Sequence, residues 1–266
     1  ESKHTTINRE ITIAVMQTPK ISNFTDFDAL AYEPDVAVRF VKPGDAIGEP
    51  DMVILPGSKN TMADLKYLED RGYAEDIKAL AKKGVPVFGV CGGYQMLGEK
   101  LHDPDGVEGD IPELNGLGLL PTETTMTGTK MTHQVSFNTT KLPFLGIDYS
   151  GENLRGYEIH MGDTHGVGTV ADCFAITSRS EKPVAVMDGF VNESGLVMGT
   201  YIHGILDNDS LRRQILNALR KRKGLEPLAE VFHYFEHKDA AYNRLADIVE
   251  KHLDMDIIDK LLEEQA

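Results

Sequence analysis

The chain of 266 residues contains no tryptophan and two cysteines, Cys91 and Cys173. Two thiols so far apart build neither a disulfide framework nor a zinc knuckle, so both are expected to be reduced. Basic side chains are scarce as well: 27 Lys and Arg stand against 42 Asp and Glu, a formal charge of -15. A nucleic-acid groove or an anionic membrane surface needs clustered cations, so neither is expected as a partner. The densest basic run, Arg220-Lys221-Arg222-Lys223, reads as one solvated helix terminus. No apolar stretch approaches the roughly 18 residues of a membrane span, and the opening ESKHTTINRE carries no apolar export core. A cytoplasmic location is the expectation that follows. There is also no Gly-x-x-x-x-Gly-Lys-Ser/Thr loop of the kind that cradles nucleotide phosphates.

What is present is an ordinary globular mixture, 41% hydrophobic and 26% charged. Short β-branched runs at 11–15, 36–41, 52–55 and 85–90 alternate with helical patterns, including a helix within 61–83. The runs are apolar throughout rather than alternating, which predicts strands buried on both faces: a mostly parallel, twisted sheet of the α/β class with helices on both sides. Pro86 fits a strand start, where a missing N–H costs least. From 101 to 195, Gly, Pro and Thr punctuate short extended segments, predicting a mainly β addition to the sheet, antiparallel in pairing. A last buried strand at 196–202 runs into His203-Gly204, and a helix follows over 210–222. Beyond it, between 239 and 264, Leu245, Ile248, Val249, Leu253, Ile257, Ile258, Leu261 and Leu262 recur at helical spacing, an amphipathic extension that needs a surface to cover.

The chemistry concentrates in Val85-Pro-Val-Phe-Gly-Val-Cys91-Gly-Gly-Tyr-Gln-Met-Leu-Gly98. A buried strand ends in Gly-x-Cys-x-Gly and a helix-compatible segment follows, the pattern of a nucleophile elbow. Gly89 and Gly93 leave room for backbone that a β-carbon would obstruct, and Cys91 lies where the N–H groups of a helix start favour thiolate. The N–H of Gly92 points to where an oxyanion would form. A second donor is expected from Leu55-Pro56-Gly57-Ser58, through the N–H of Gly57 or Ser58, because this loop leaves a neighbouring strand at its carboxyl end. A cysteine nucleophile also needs a proton shuttle. Of the nine histidines, His203 is best placed, at a strand end on the same sheet edge as Cys91 if that strand is parallel. His160 is the second candidate. Cys173, among apolar neighbours, reads as a small buried hydrophobe.

Gly-Val-Cys91-Gly-Gly-Tyr-Gln, with Pro-Gly-Ser58 and a strand-end histidine, resembles the class I, or triad, glutamine amidotransferases, whose core is flavodoxin-like. More narrowly, the chain is similar to the carboxy-terminal glutaminase domain of the cobyric acid synthase family. The narrower likeness rests on Ile21-Ser-Asn-Phe-Thr-Asp-Phe-Asp28, Leu55-Pro-Gly-Ser-Lys-Asn-Thr61, Gly156-Tyr-Glu-Ile-His-Met-Gly162, Thr200-Tyr-Ile-His-Gly204, Arg244-Leu-Ala and His252-Leu-Asp-Met255. The resemblance implies that glutamine forms a γ-glutamyl thioester on Cys91, that His203 carries the proton, and that Gln95 helps hold the substrate, with Tyr94 and Glu158 as further candidate contacts. It implies no cofactor on this chain. ATP and magnesium belong to a synthetase domain, upstream or on a separate subunit, where ammonia amidates carboxylates of the corrinoid adenosylcobyrinic acid a,c-diamide. The domain reading that follows is a linker at 1–10, an amidotransferase domain at 11–222 and a helical tail at 223–266, packed on the domain or on its partner. Isolated, the domain is expected to be a slow glutaminase that the partner accelerates.

One departure stands out. Many class members carry His-x-Glu, but here the sequence reads His203-Gly204-Ile205, and Ile205 accepts no hydrogen bond. Cobyric acid synthases are known to keep only the Cys–His pair, which leaves the group that orients His203 open among Glu158, Asp207 and a backbone carbonyl. Three competing functions also remain: a glutaminase subunit acting on a cell-wall precursor, a non-catalytic scaffold docking on a synthetase, and a zinc protease suggested by His233-Tyr-Phe-Glu-His237. The protease pattern is short and shows no third ligand, and the tail and the Gly156–Gly162 segment favour the corrinoid enzyme.

Overall fold

The computed structural model describes residues 9–139, 141–229 and 232–263. Most of the expected linker, residues 1–8, lies outside the described residues. Four apolar runs form parallel strands: β1 (Ile11–Met16), β2 (Val36–Val41), β3 (Met52–Leu55) and β4 (Val87–Val90). β1 pairs with β2 and β3, and β3 with β4. Every residue of β3 and β4 is buried, which is why their sequences do not alternate. Pro86 precedes β4, and its carbonyl accepts from Val53 N at 2.9 Å. The single helix expected within 61–83 is two, α1 (Thr61–Asp70) and α2 (Tyr73–Lys82), broken at Gly72 with φ 79°. A third helix, α3 (Gly92–Leu97), follows β4 with one residue between them.

The middle of the chain extends the same sheet. β5 (Met131–Thr139), β6 (Gly151–His160), β7 (Val170–Arg179) and β8 (Lys182–Asn192) are joined by antiparallel pairings. β9 (Val197–Thr200) then pairs antiparallel with β8 and parallel with β4. The parallel core is therefore as expected, and the ten-stranded sheet as a whole is mixed. The run 196–202 is not one strand. Asp188 accepts from the Thr200 hydroxyl and from Tyr201 N, the chain bends at Tyr201, and β10 (Ile202–His203) pairs antiparallel with β6 at the edge of the sheet. A separate four-stranded sheet uses Lys100–His102, Glu113–Asn115, Thr122–Thr125 and Asp163–Gly166. Two-residue strands, Ile21–Ser22 and Gly57–Ser58, pair with each other.

α4 (Asp209–Arg222) ends in the basic run, whose Lys221, Arg222 and Lys223 are exposed as expected, and the reading of a solvated terminus is corrected at Arg220. Arg220 is buried, its guanidinium bonded to Glu10 at 2.7 Å and Asp35 at 3.1 Å. Arg212 and Arg213, also buried, hold Glu33 and Asp35, the acidic pair just ahead of β2. Buried guanidinium groups need fixed opposite charges, and the forked geometry of arginine supplies several bonds at once. The tail is likewise two helices, α5 (Tyr234–His252) and α6 (Met255–Glu263), interrupted at Leu253-Asp254. Tyr234 is buried, but Leu245, Ile248, Leu253, Ile257 and Leu261 are each more than half exposed. The apolar face that the spacing predicted exists, and within the described residues it stands open.

Candidate active site

β4 delivers Cys91 at the carboxyl edge of the sheet, where the chain turns into α3 with φ 52° and ψ -112°. A non-glycine residue in that region stores on the order of 1–3 kcal/mol of strain. The surroundings hold it there: Cys91 N donates to Thr200 O at 2.8 Å, and Gln95 N to Cys91 O at 3.0 Å. The turn is as tight as the elbow pattern required, because a β-carbon at Gly93 would fall 2.0 Å from Leu55 O. The thiol donates to Ile159 O at 3.6 Å.

β9 is parallel to β4, so His203, just past its end, reaches the same edge. The ring is buried, lies against Gly57 and stacks on Tyr157 with centroids 5.0 Å apart and planes at 15°. Its Nδ1 donates to Asp26 Oδ2 at 2.7 Å, and the other oxygen of that carboxylate accepts from Gly204 N at 3.0 Å. Nε2 is buried without a hydrogen-bond partner, the remaining nitrogen through which the ring can exchange a proton. Burial works to lower the pKa of this imidazole, but Asp26 and the Cys91 sulfur outweigh it and push the value up to about 10.

Asp26 is the residue that sequence reasoning missed. Neither Glu158 nor Asp207 orients His203. Glu158 is buried and bound to Arg179 Nε at 2.7 Å and Nη2 at 2.8 Å. Burial opposes its charge, yet His160 and Arg179 beside it hold its carboxyl below the usual range. Asp207 lies beyond Gly204, 3.8 Å from Lys238, and burial pushes its pKa up to about 7. Asp26 comes instead from the turn after β1. Asn23 opens that turn with φ 52°, accepts from Asp26 N at 2.9 Å, and donates its Nδ2 to Tyr157 OH at 2.7 Å. The one available signal was Asn23-Phe-Thr-Asp26 within a family motif, at the carboxyl end of the first strand.

Cys91 opens into a cavity of about 310 Å³, which Ser58, Thr61, Gln95, Lys59, Lys130, Glu108 and His160 also line. Gln95 reaches it, but its amide is engaged: it accepts from Thr61 Oγ1 at 2.8 Å and donates to Met161 O and to Tyr201 OH. Of the two loop donors, Ser58 is the better placed. Lys59 N donates to Lys20 O at 2.9 Å, so in the alternating ladder the Ser58 N–H is left outside it. Ser58 N also lies 2.9 Å from where a Gly92 β-carbon would stand, so the loop passes directly beside the residue that follows Cys91. Ser58 Oγ is fixed to the buried Asp64 at 2.7 Å. Two expected substrate contacts are not in this cavity. Tyr94 is buried against Gly199 and edge-on to Tyr201, with burial pushing its phenol well up, and Glu158 points into the Arg179 network. His160 lines the cavity yet stacks on Tyr201, its Nδ1 facing Gly162 O at 3.2 Å.

The other singled-out groups fall elsewhere. Cys173 is buried, and burial pushes its thiol well above its ordinary value. His233 is the residue before the first turn of α5 and has extended backbone, so it does not share a helix face with His237, whose ring packs 4.5 Å from Tyr32.

Residues 12–211 match the profile of the CobB/CobQ-like glutamine amidotransferase domain. The chain belongs to that family. Within the curated proteins, the family member from Caldanaerobacter subterraneus, a cobyric acid synthase, is 43% identical over 255 residues, 96% of this chain and 50% of that protein. The cobyric acid synthase of Moorella thermoacetica is 46% identical over 247 residues, covering 92% and 47%. The chain spans about half the length of the curated relatives it matches. Among solved structures, PurLQS from Thermotoga maritima superposes with a TM-score of 0.59 at 18% identity, over 80% of this chain and 99% of the other, which shows the shared amidotransferase fold.

Proposed function

We propose that this domain hydrolyses glutamine and hands the ammonia to an ATP-dependent synthetase that amidates corrinoid carboxylates. The observation that carries the reading is the alignment of Cys91, His203 and Asp26 at the carboxyl edge of one sheet. With the shared proton held on His203 Nε2, in keeping with the raised pKa of that ring, the Cys91 sulfur attacks the side-chain carbonyl of glutamine. The oxyanion is met by the N–H groups of Ser58 and Gly92. Collapse breaks the C–N bond, His203 returns the proton, and ammonia leaves a γ-glutamyl thioester on sulfur. A water, deprotonated by His203, then releases glutamate and restores the thiol. Asp26 holds the ring with Nδ1–H toward itself and Nε2 toward the chemistry.

The corrinoid acceptor is supported by the names of the relatives, which favour it over a cell-wall precursor. ATP and magnesium belong to the synthetase half, and the surplus of acidic residues suits a zwitterionic substrate better than a polycarboxylate. The location is the cytoplasm; no described helix is long and apolar enough to cross a membrane. The scaffold reading is disfavoured by the triad geometry. The test is glutamate release from glutamine, alone and with the synthetase half. Wild type is expected to turn over slowly alone and faster with its partner, and Cys91→Ser to lose at least about a thousandfold in kcat. Equal inertness of both proteins with the partner present would overturn the reading.

A further inference from the structure

Three consecutive residues, Thr200 to Ile202, link the nucleophile to its histidine. The Thr200 carbonyl accepts from Cys91 N at 2.8 Å, and His203 is the residue after Ile202. The path between them is set by one side chain on a neighbouring strand. The Asp188 carboxylate, on β8, accepts from the Thr200 hydroxyl and, at 3.2 Å, from Tyr201 N; the same hydroxyl accepts from Ile202 N at 3.0 Å. Two N–H groups at the bend are thus satisfied, one by Asp188 and one by the hydroxyl that Asp188 orients.

Local structure shows why a side chain does this. The antiparallel ladder of β8 and β9 ends with Phe190 opposite Gly199. At the next position Gly189 has φ 76°, and a β-carbon there would fall 2.8 Å from Gly199 O. Beyond it the carboxylate of Asp188, rather than a backbone carbonyl, meets Tyr201 N. Stability does not explain the choice. Asp188 is buried, the hydrogen-bond partners of its side chain among the described residues are Thr200 and Tyr201, and neither is a cation. Burial pushes its carboxyl up to about 6 against the pull of those two donors. A carboxylate taken out of water without an ion pair is costly, so an uncharged residue would suit the fold better. What the charge supplies is a strong, fixed acceptor at the bend.

We propose that Asp188 is a positioning residue for the reacting pair: by fixing Thr200 and Tyr201 it holds Cys91 and His203 in register at the sheet edge. Its effect on turnover rests on the glutaminase reading; its effect on the geometry of the pair does not. Three variants test it. Asp188→Asn keeps the shape of the side chain but turns one acceptor into a donor facing Tyr201 N. Thr200→Val removes the hydroxyl, and Thr200→Ser keeps it. In the protein joined with its synthetase half, Asp188→Asn and Thr200→Val are expected to lose about ten- to hundredfold in kcat for glutamate release, with KM changed by no more than about threefold. Thr200→Ser is expected to stay within about threefold of wild type in both. The alkaline limb of the kcat/KM profile should move to lower pH in the two impaired variants, because a sulfur held less closely supports the His203 imidazolium less. The arm that needs no turnover is alkylation of Cys91 by iodoacetamide at neutral pH, located by peptide mass. It is expected to slow about tenfold in the two impaired variants and to keep its rate in Thr200→Ser, since the thiolate depends on the imidazolium beside it. If Asp188→Asn does not fold, as judged by circular dichroism, the two Thr200 variants make the same comparison. Wild-type kcat and alkylation in the two variants expected to be impaired, an equal loss in Thr200→Ser, or a fall in kcat with the alkaline limb unmoved overturns the proposal. If wild type releases no glutamate even with its partner, the glutaminase reading has failed, and the order of alkylation rates still decides the role of Asp188.

Discussion

At the scale of residues, the site depends on charge held in a buried place. An isolated imidazole among Tyr157 and the sheet edge would be driven neutral, but Asp26 and the Cys91 sulfur raise His203 to about 10 from an ordinary 6.5. The sign follows directly: the folded protein binds this proton more tightly than the unfolded chain, so the stability it contributes is fully present below 6.5 and is lost as pH rises through about 10. Asp26→Asn is expected to bring the alkaline limb of the kcat/KM profile to lower pH and to reduce kcat by about a hundredfold or more, because the amide no longer enforces the ring tautomer. The gap in urea midpoint between wild type and Asp26→Asn should be widest in acid and narrow toward pH 10. A profile unchanged by the substitution would count against Asp26 as the orienting group. Cys91 and His203 were legible as residue types at strand ends. Asp26 was not, because nothing local marks an aspartate that acts on a histidine 177 positions away.

Among elements, the elbow is a matter of clearance. β4, β3 and α3 approach so closely that two glycines on the turn meet neighbouring backbone, and Gly93 is the extreme case at 2.0 Å. Gly93→Ala is expected to destabilise the fold by about 3 kcal/mol or more, at the upper end for overpacking, and to abolish glutamate release by displacing Cys91. Denaturant titration and turnover of the purified variant check both. A second contact of the same type explains the Gly156–Gly162 segment. A β-carbon at Gly156 would stand 2.4 Å from the Ile202 side chain, so glycine there lets β10 bring His203 onto the edge of β6. In the same segment Tyr157 stacks on that histidine, and Ile159 O and Met161 O take the Cys91 thiol and the Gln95 amide. The apolar runs announced the buried strands. The breaks at Gly72, Tyr201 and Leu253-Asp254 were hidden, since each lies inside a run whose composition continues on both sides.

For the whole molecule, the open face of α5 and α6 contributes little to the stability of the described fold. Replacing Leu245 and Ile248 together by serine should change the unfolding free energy from urea titration by no more than about 0.5 kcal/mol, whereas Leu211→Ala, at a fully buried position of α4, should cost about 2–5 kcal/mol. A large loss in the first pair would mean that the face is covered in solution. The sequence alone determined the class of fold, through apolar runs that only a doubly covered sheet can bury, and pointed to the candidate nucleophile, through glycines that only a tight turn requires. Both are signals written within a few residues of each other. The partner of His203, the placing of Ser58 rather than Gly57 as the free candidate donor, the absence of Tyr94 and Glu158 from the cavity beside Cys91 and the burial of Arg220 were decided only by tertiary structure. They depend on which side chains distant segments bring together at the sheet edge, and the spacing of residues along a chain does not carry that distance.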